Sequence, residues 1–197
     1  MNPISDESFQ RLIQVLENNY MLNHKFKTML RNGLMETTYK KGSRILNFHE
    51  KQRVVWFVLD GLAREIRVNG ETFEEKTTWF WSELNFLYTT PGFFSQTPSE
   101  CTIELLMDCR MILMSYLNWT LLKQEFKETE QLTEEIRAEY DKLRQEHIDD
   151  IKNLSTVDRY LKHKPDLLRL LRVTKLKYVA EYMNMSADRL GKLRKKY

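Results

Sequence analysis

Leu176-Lys177-Tyr178-Val179-Ala180-Glu181-Tyr182-Met183-Asn184-Met185-Ser186-Ala187-Asp188-Arg189-Leu190-Gly191-Lys192-Leu193-Arg194-Lys195-Lys196-Tyr197 has the pattern of a helix-turn-helix. Apolar side chains at Leu176, Val179, Met183, Met185, Leu190 and Leu193 form two short stripes of helical period on either side of a break at Asn184-Met185-Ser186. Ala180 is the small residue where two helices must cross closely, and Asn184 suits a turn position that needs a positive φ. Ser186 is a good N-cap, and Asp188 adds negative charge to the first turn behind it. The second helix is then apolar on one side and cationic on the other. A short basic helix held at a steep angle suits the major groove of DNA. A helical hairpin packed on another domain, with solvated lysines, fits the same spacing, so spacing alone leaves both readings open.

Charge distribution favours the first reading. From Thr156 to Tyr197 there are 12 Lys plus Arg against 4 Asp plus Glu, a net +8, which leaves 19 against 24, a net −5, on everything before it. The modest total of +3 thus hides a basic C-terminal module on an acidic body, the polarity of a nucleic-acid reader. With 197 residues and 42% apolar side chains, the chain can bury a core in one ordinary domain and still carry a small one. No run approaches the roughly 20 apolar residues of a membrane span. Met1-Asn2-Pro3-Ile4-Ser5-Asp6-Glu7 lacks the cationic start and apolar run of an export signal. Cys101 and Cys109 are expected to be small buried hydrophobes, and two thiols without a metal-like cluster fit a reducing cytoplasm.

Outward from the C-terminus, Thr156 to Val173 reads as a further helix with a joint near Pro165. Before it, about Asn118 to Leu154 reads as one long helix. Leu122, Phe126, Thr129, Thr133, Ile136, Tyr140, Leu143 and His147 recur there at spacings of four and three, a coiled-coil seam. About 36 helical residues extend roughly 54 Å, more than a domain of this size covers, so pairing with a second subunit is expected; packing on its own sandwich is the alternative. From Glu36 to Ser115 the pattern is short strands with regular turns: Lys40 to Ser43, Asp60-Gly61, Asn69-Gly70 and Asp108-Cys109. These predict hairpins in a β-sandwich or barrel. At the start, Phe9, Leu12, Ile13, Leu16 and Tyr20 mark a helix capped near Ser5, and His24 to Arg31 a second one that ends at Gly33 as a left-handed C-cap.

Helix, jelly-roll, long helix and C-terminal helix-turn-helix, in that order, resemble the Crp/Fnr family of bacterial transcription regulators. The resemblance rests on Lys41-Gly42, Leu59-Asp60-Gly61-Leu62, Ser82-Glu83-Leu84 after Phe80-Trp81, and Lys177 to Ser186. It implies an α+β chain with three parts: a cyclic-nucleotide-binding-like double-stranded β-helix over residues 1–117, a dimerisation helix over 118–154 and a helix-turn-helix domain over 155–197. It implies double-stranded DNA and a second copy of the chain as partners, RNA polymerase as a further one, and no membrane. Ser186, Ala187, Asp188 and Lys192 would then face the groove, while Arg189, Arg194, Lys195 and Lys196 hold phosphates.

In the family's nucleotide-binding members a Glu takes the ribose hydroxyl and an Arg takes the cyclic phosphate. Glu83 matches the first, but Ser82 replaces the preceding Gly, and the Arg position falls within Thr97-Pro98-Ser99, where there is none. Losing the cation beside a buried anion costs about 2–5 kcal/mol, enough to carry a micromolar ligand toward the millimolar range. The resemblance therefore implies a sensor that binds cyclic AMP poorly. Glu83, Leu84, Thr97, Ser99 and Trp81 are the candidate effector residues. The aromatics around them, Trp79 to Phe94, either line a site for a flatter, more apolar effector or fill a vacated pocket. Two cysteines are too few for an iron–sulfur cluster, and His24, His49, His147 and His163 lack metal-like spacing, so no cofactor is expected.

No nucleotide loop, nucleophile elbow or zinc-protease motif is present, and no enzyme is expected. Gly191-Lys192 stands where the family often has Ser-Arg, and Lys cannot supply the two-pronged contact of Arg. Gly191 also costs about 1 kcal/mol in a helix, which close approach to the first helix or to DNA would explain. The chain as given ends directly after the second helix, without a following strand pair. The alternative function is a ligand- or protein-binding sensor whose helix-turn-helix does not read DNA.

Overall fold

The computed structural model describes residues 2–18 and 21–197, so Met1 and the expected stripe residue Tyr20 lie outside the described residues. The element order is β1(Asn2–Pro3), α1(Asp6–Leu16), α2(His24–Asn32), β2(Leu34–Tyr39), β3(Arg44–Leu46), β4(Val54–Asp60), β5(Ala63–Val68), β6(Glu75–Trp81), β7(Phe86–Leu87), β8(Thr102–Leu105), β9(Cys109–Ser115), α3(Tyr116–Glu125), α4(Glu128–Asn153), α5(Thr156–Val173), α6(Leu176–Tyr182) and α7(Ala187–Lys196). The strands form two antiparallel sheets, β1-β2-β9-β4-β7 and β3-β8-β5-β6. The fold is α+β: a jelly-roll followed by a helical C-terminal region. Among the described residues, no helix is long and apolar enough to cross a membrane.

Strand β4 explains how the layers stack. Its dense apolar run is buried on both faces, as a central strand should be when both sides are covered. Trp56 and Val58 point into the roll with Trp81, Phe93, Ile103 and Met111. Phe57 and Leu59 point the other way, into a second core with Phe9, Leu12, Phe26 and Leu30 of α1 and α2. Ser5 caps α1, its Oγ accepting from Ser8 N at 3.2 Å. Cys101 and Cys109 are free and buried, and burial pushes the Cys101 thiol up to about 12, which makes it a poor nucleophile.

The turn signals mark chain reversals correctly, but not which sheet receives the chain. Lys40 to Ser43, Asp60-Gly61 and the turn expected at Asp108-Cys109, which lies slightly earlier because Cys109 opens β9, each carry the chain from one sheet to the other; of the four expected hairpins, β5–β6, paired from Val68↔Glu75 onward, is the one that forms. A dipeptide encodes a local bend, whereas the hydrogen-bond partners of its flanks depend on the distant strands. At Asp60-Gly61 the need for glycine is steric as well as conformational: φ is +133°, and a Cβ would lie 2.3 Å from Cys109 Sγ. Gly33, expected to be left-handed, has φ −86°. Its bare Cα instead faces Asn118, whose Nδ2 donates to Gly33 O at 2.9 Å.

The long helix is two helices, broken at Phe126 and Lys127, where Phe126 turns its ring edge-on to Phe26 at 5.4 Å. Its seam lies largely inside the chain's own structure. Leu122 and Ile136 join the second core, and Tyr140 joins the roll, with Tyr140 OH accepting from Phe86 N at 2.9 Å. A 3–4 spacing reports that a face is buried, not what buries it. Leu143 is the exception and is exposed, as are Ile148, Leu117 and Leu121. The expected joint at Pro165 is absent: α5 runs through it. Pro165 and Leu161, the residue one turn back, are both exposed, so the carbonyl that loses its N–H donor stays within reach of water.

Candidate nucleic-acid interface

The C-terminal helices share a small core of Tyr160, Leu167, Val179, Ala180, Met183, Leu190 and Leu193. Asn184 makes the turn at φ +47°, and Met185 N donates to Ala180 O at 3.0 Å. Ser186 caps α7, its Oγ accepting from Arg189 N at 3.1 Å. Sequence reasoning missed the residue that anchors this unit. Arg159, 3% exposed, donates to Ile151 O at 3.0 Å, Leu154 O at 3.3 Å and Asn184 O at 3.3 Å. One guanidinium thus satisfies the open carbonyls at the end of α4 and ties them to the turn. Nothing in sequence separates Arg159 from the surface cations around it.

The eight residues expected on the DNA face divide into three groups. Ser186, Asp188, Lys192, Arg194, Lys195 and Lys196 are exposed along α7. Lys192 Nζ lies 2.7 Å from Asp188 Oδ2, a surface pair worth about 0.3–0.5 kcal/mol and therefore easily exchanged for a phosphate or a base edge. Arg189 is exposed but leans toward α5, its Nε donating to Thr156 Oγ1 at 3.1 Å. Ala187 is half-buried against the small core. Gly191 meets only Leu176 Cδ2, at 3.8 Å from where a Cβ would stand, so close helix approach does not explain the glycine.

This unit is seated on β6, an edge strand. Glu181 Oε2 accepts from Thr77 N at 2.9 Å. The Arg64 guanidinium lies 3.5 Å from the ring centroid of Tyr178. Tyr182 sits edge-on to Trp79 at 5.9 Å and Phe80 at 5.3 Å, and stacks on His147 of α4 at 4.1 Å and 7°. His147 Nε2 lies 3.0 Å from Tyr182 O, and burial holds its pKa below the ordinary value, so the ring sits there neutral.

In sequence, the chain matches no family model and no curated protein. In structure it resembles FixK2 from Bradyrhizobium japonicum, with 12% identity over 83% of each chain and a TM-score of 0.72. It also resembles a transcriptional regulator of the Crp/Fnr family from Eubacterium rectale (16% identity, 89% of this chain and 83% of that one, TM-score 0.69). A third solved relative is CLP of Xanthomonas campestris, a c-di-GMP responsive global regulator (14%, 88% and 91%, TM-score 0.67). The fold is the Crp/Fnr-like one.

On that fold, the candidate effector residues are scattered. Glu83 and Leu84 stand exposed on a turn, while Trp81 is buried in the roll, 5.1 Å from the Tyr140 ring. Ser99 is buried, but its Oγ donates to Cys101 O at 3.0 Å, and Thr97 pairs with Ser95 at 2.7 Å on the surface. Beside the roll's aromatics lies a carboxylate that sequence reasoning missed. Glu65, 1% exposed, meets Arg144 Nη2 at 2.6 Å, Arg67 Nε at 3.3 Å and Thr78 Oγ1 at 3.1 Å. Burial alone would raise its pKa, but Arg144, Arg67 and Thr78 outweigh it, and the carboxyl is held below its usual range. Arg144 also lies over Trp79 and Trp81, at 4.9 and 5.5 Å. The cations nearest these aromatics already have an anion, and it belongs to the protein. Cyclic AMP at ~100 μM is accordingly expected to leave Tm unchanged; a clear rise in a thermal-shift assay would show that a phosphate is held after all.

Proposed function

We propose that this chain is a DNA-binding transcription regulator of Crp/Fnr type, acting as a cytoplasmic homodimer and not as an enzyme. The observation that carries the reading is the exposed, cationic face of α7 on a helix-turn-helix whose buried side packs in its own small core and whose α6 is seated on β6. The shared fold of solved regulators supports it. Two copies would set their α7 helices about one DNA turn apart, ~34 Å, on a two-fold-symmetric operator. Asp188 and Lys192 reach base edges, with Ser186 at the groove mouth, while Arg194, Lys195 and Lys196 hold phosphates. Arg189 joins the phosphate contacts by releasing Thr156. Ala187 gives the backbone close approach. Pairing uses the outward side of α3 and α4, where Leu117, Leu121, Leu143 and Ile148 are exposed. RNA polymerase is the further partner of such a regulator.

A gel-shift assay with the region upstream of its own gene tests this. Retardation of that fragment is expected, and Lys192→Ala should weaken it roughly tenfold. Equal binding by the variant would remove Lys192 from the contact set. Failure to retard the fragment in dilute buffer would favour a sensor that does not read DNA.

A further inference from the structure

Beneath α3 and α4, against the outer face of β4, lies a partly open apolar cavity of about 90 Å³. We propose that it is a binding site for one small neutral apolar molecule, up to the size of a single aromatic ring. Its walls include Phe26, Phe57, Phe86, Phe94, Trp119 and Leu132. The hydroxyl-bearing residues in the wall are Tyr88, Thr129 and Thr133, and the two threonine hydroxyls are occupied. Thr129 Oγ1 donates to Leu122 O at 3.1 Å; Thr133 Oγ1 donates to Thr129 O at 2.7 Å and accepts from Trp119 Nε1 at 3.1 Å. Water in such a space needs two to four polar partners, and with both threonines engaged these walls offer too few. A charged or strongly hydrogen-bonding guest would be stranded for the same reason. Protein cores rarely keep voids larger than a water, and apolar voids of about 150 Å³ take up benzene or xenon. This one is somewhat smaller, but it is not sealed. Phe94, Trp119 and Thr133 also line a surface cleft of about 250 Å³ bearing Lys123, Glu130, Glu134 and Arg137, which supplies an entry path.

The position gives the site a consequence. The cavity lies at the α3–α4 break, and the far end of α4 carries His147 on Tyr182 of the helix-turn-helix. Occupancy stiffens α4 against β4 and biases the seat of α6. That regulatory part rests on the DNA-binding reading; occupancy itself does not.

Toluene and xenon are suitable probes of the full chain. Toluene is expected to raise Tm saturably with one site per chain, xenon to shift the Trp119 indole NMR signal, and Val55→Phe, which places a ring into the cavity wall, to cancel both responses. Should Val55→Phe not fold, Met114→Phe on the same wall serves instead. A parent protein whose Tm and Trp119 signal ignore both probes overturns the proposal, as does a folded filled variant that binds toluene like the parent. Gel shifts with and without toluene read the coupling separately: binding with unchanged retardation removes only the regulatory part.

Discussion

Raising salt from 50 to 200 mM is expected to weaken duplex binding by roughly 10⁴-fold. Arg189, Arg194, Lys195 and Lys196 are exposed on α7, and two copies offer about eight cations to the phosphates. Each neutralised phosphate releases counterions, so log K falls against log salt with a slope near −0.9 per contact, about −7 for a dimer. A single copy would give about half that slope and roughly a 10²-fold loss over the same interval. Fluorescence anisotropy with a labelled duplex therefore tests the electrostatic footprint and the pairing together. A slope near zero would remove α7 as the reading surface, and a slope near −4 would leave the reader and dismiss the dimer.

Glu65→Gln is expected to destabilise the fold by about 3 kcal/mol, a fall in Tm of roughly 6–12 °C for a chain of this size. The reason is asymmetry. The carboxylate is 1% exposed, and its removal strands Arg144 and Arg67 beside a buried amide that carries no charge. Both arginines are about a third exposed, which limits their penalty and places the estimate at the low end for a broken buried pair. The pH dependence has a definite sign. Because the folded pKa is lowered, the stabilisation is complete above the unfolded value near 4.3. It fades as pH falls from there through the folded value. Thermal scans between pH 7 and pH 3 should show the gap between parent and variant closing at the acid end. A variant that melts with the parent at neutral pH would mean that the arginines find other partners.

The C-terminal unit was the most legible part of the sequence. Its residues make local contacts: Ser186 caps its own helix, Asn184 makes its own turn, and Ala180 is small because a helix crosses it. The long-helix stripe was legible as a buried face and misleading as to its partner, since Leu122, Ile136 and Tyr140 meet strands far away in the chain. Three of the four turns between strands were connected wrongly for the same reason. Glu65 was invisible because a charged residue between Arg64 and Ile66 in a strand looks like any outward-facing position; only the arrival of Arg144 from α4 makes its burial tolerable. The effector residues fared worst. Likeness to a nucleotide site named positions, and the fold used Ser99 and Trp81 as interior packing instead.

The seat of α6 on β6 has one more consequence. An outermost strand offers bare N–H groups to any extended segment that drifts past, and here Glu181 covers that of Thr77 while Tyr178 and Tyr182 shield its flanks. The C-terminal unit thus also guards that edge. Lifting α6 from β6 would uncover this margin of the roll and leave it open to pairing with another chain.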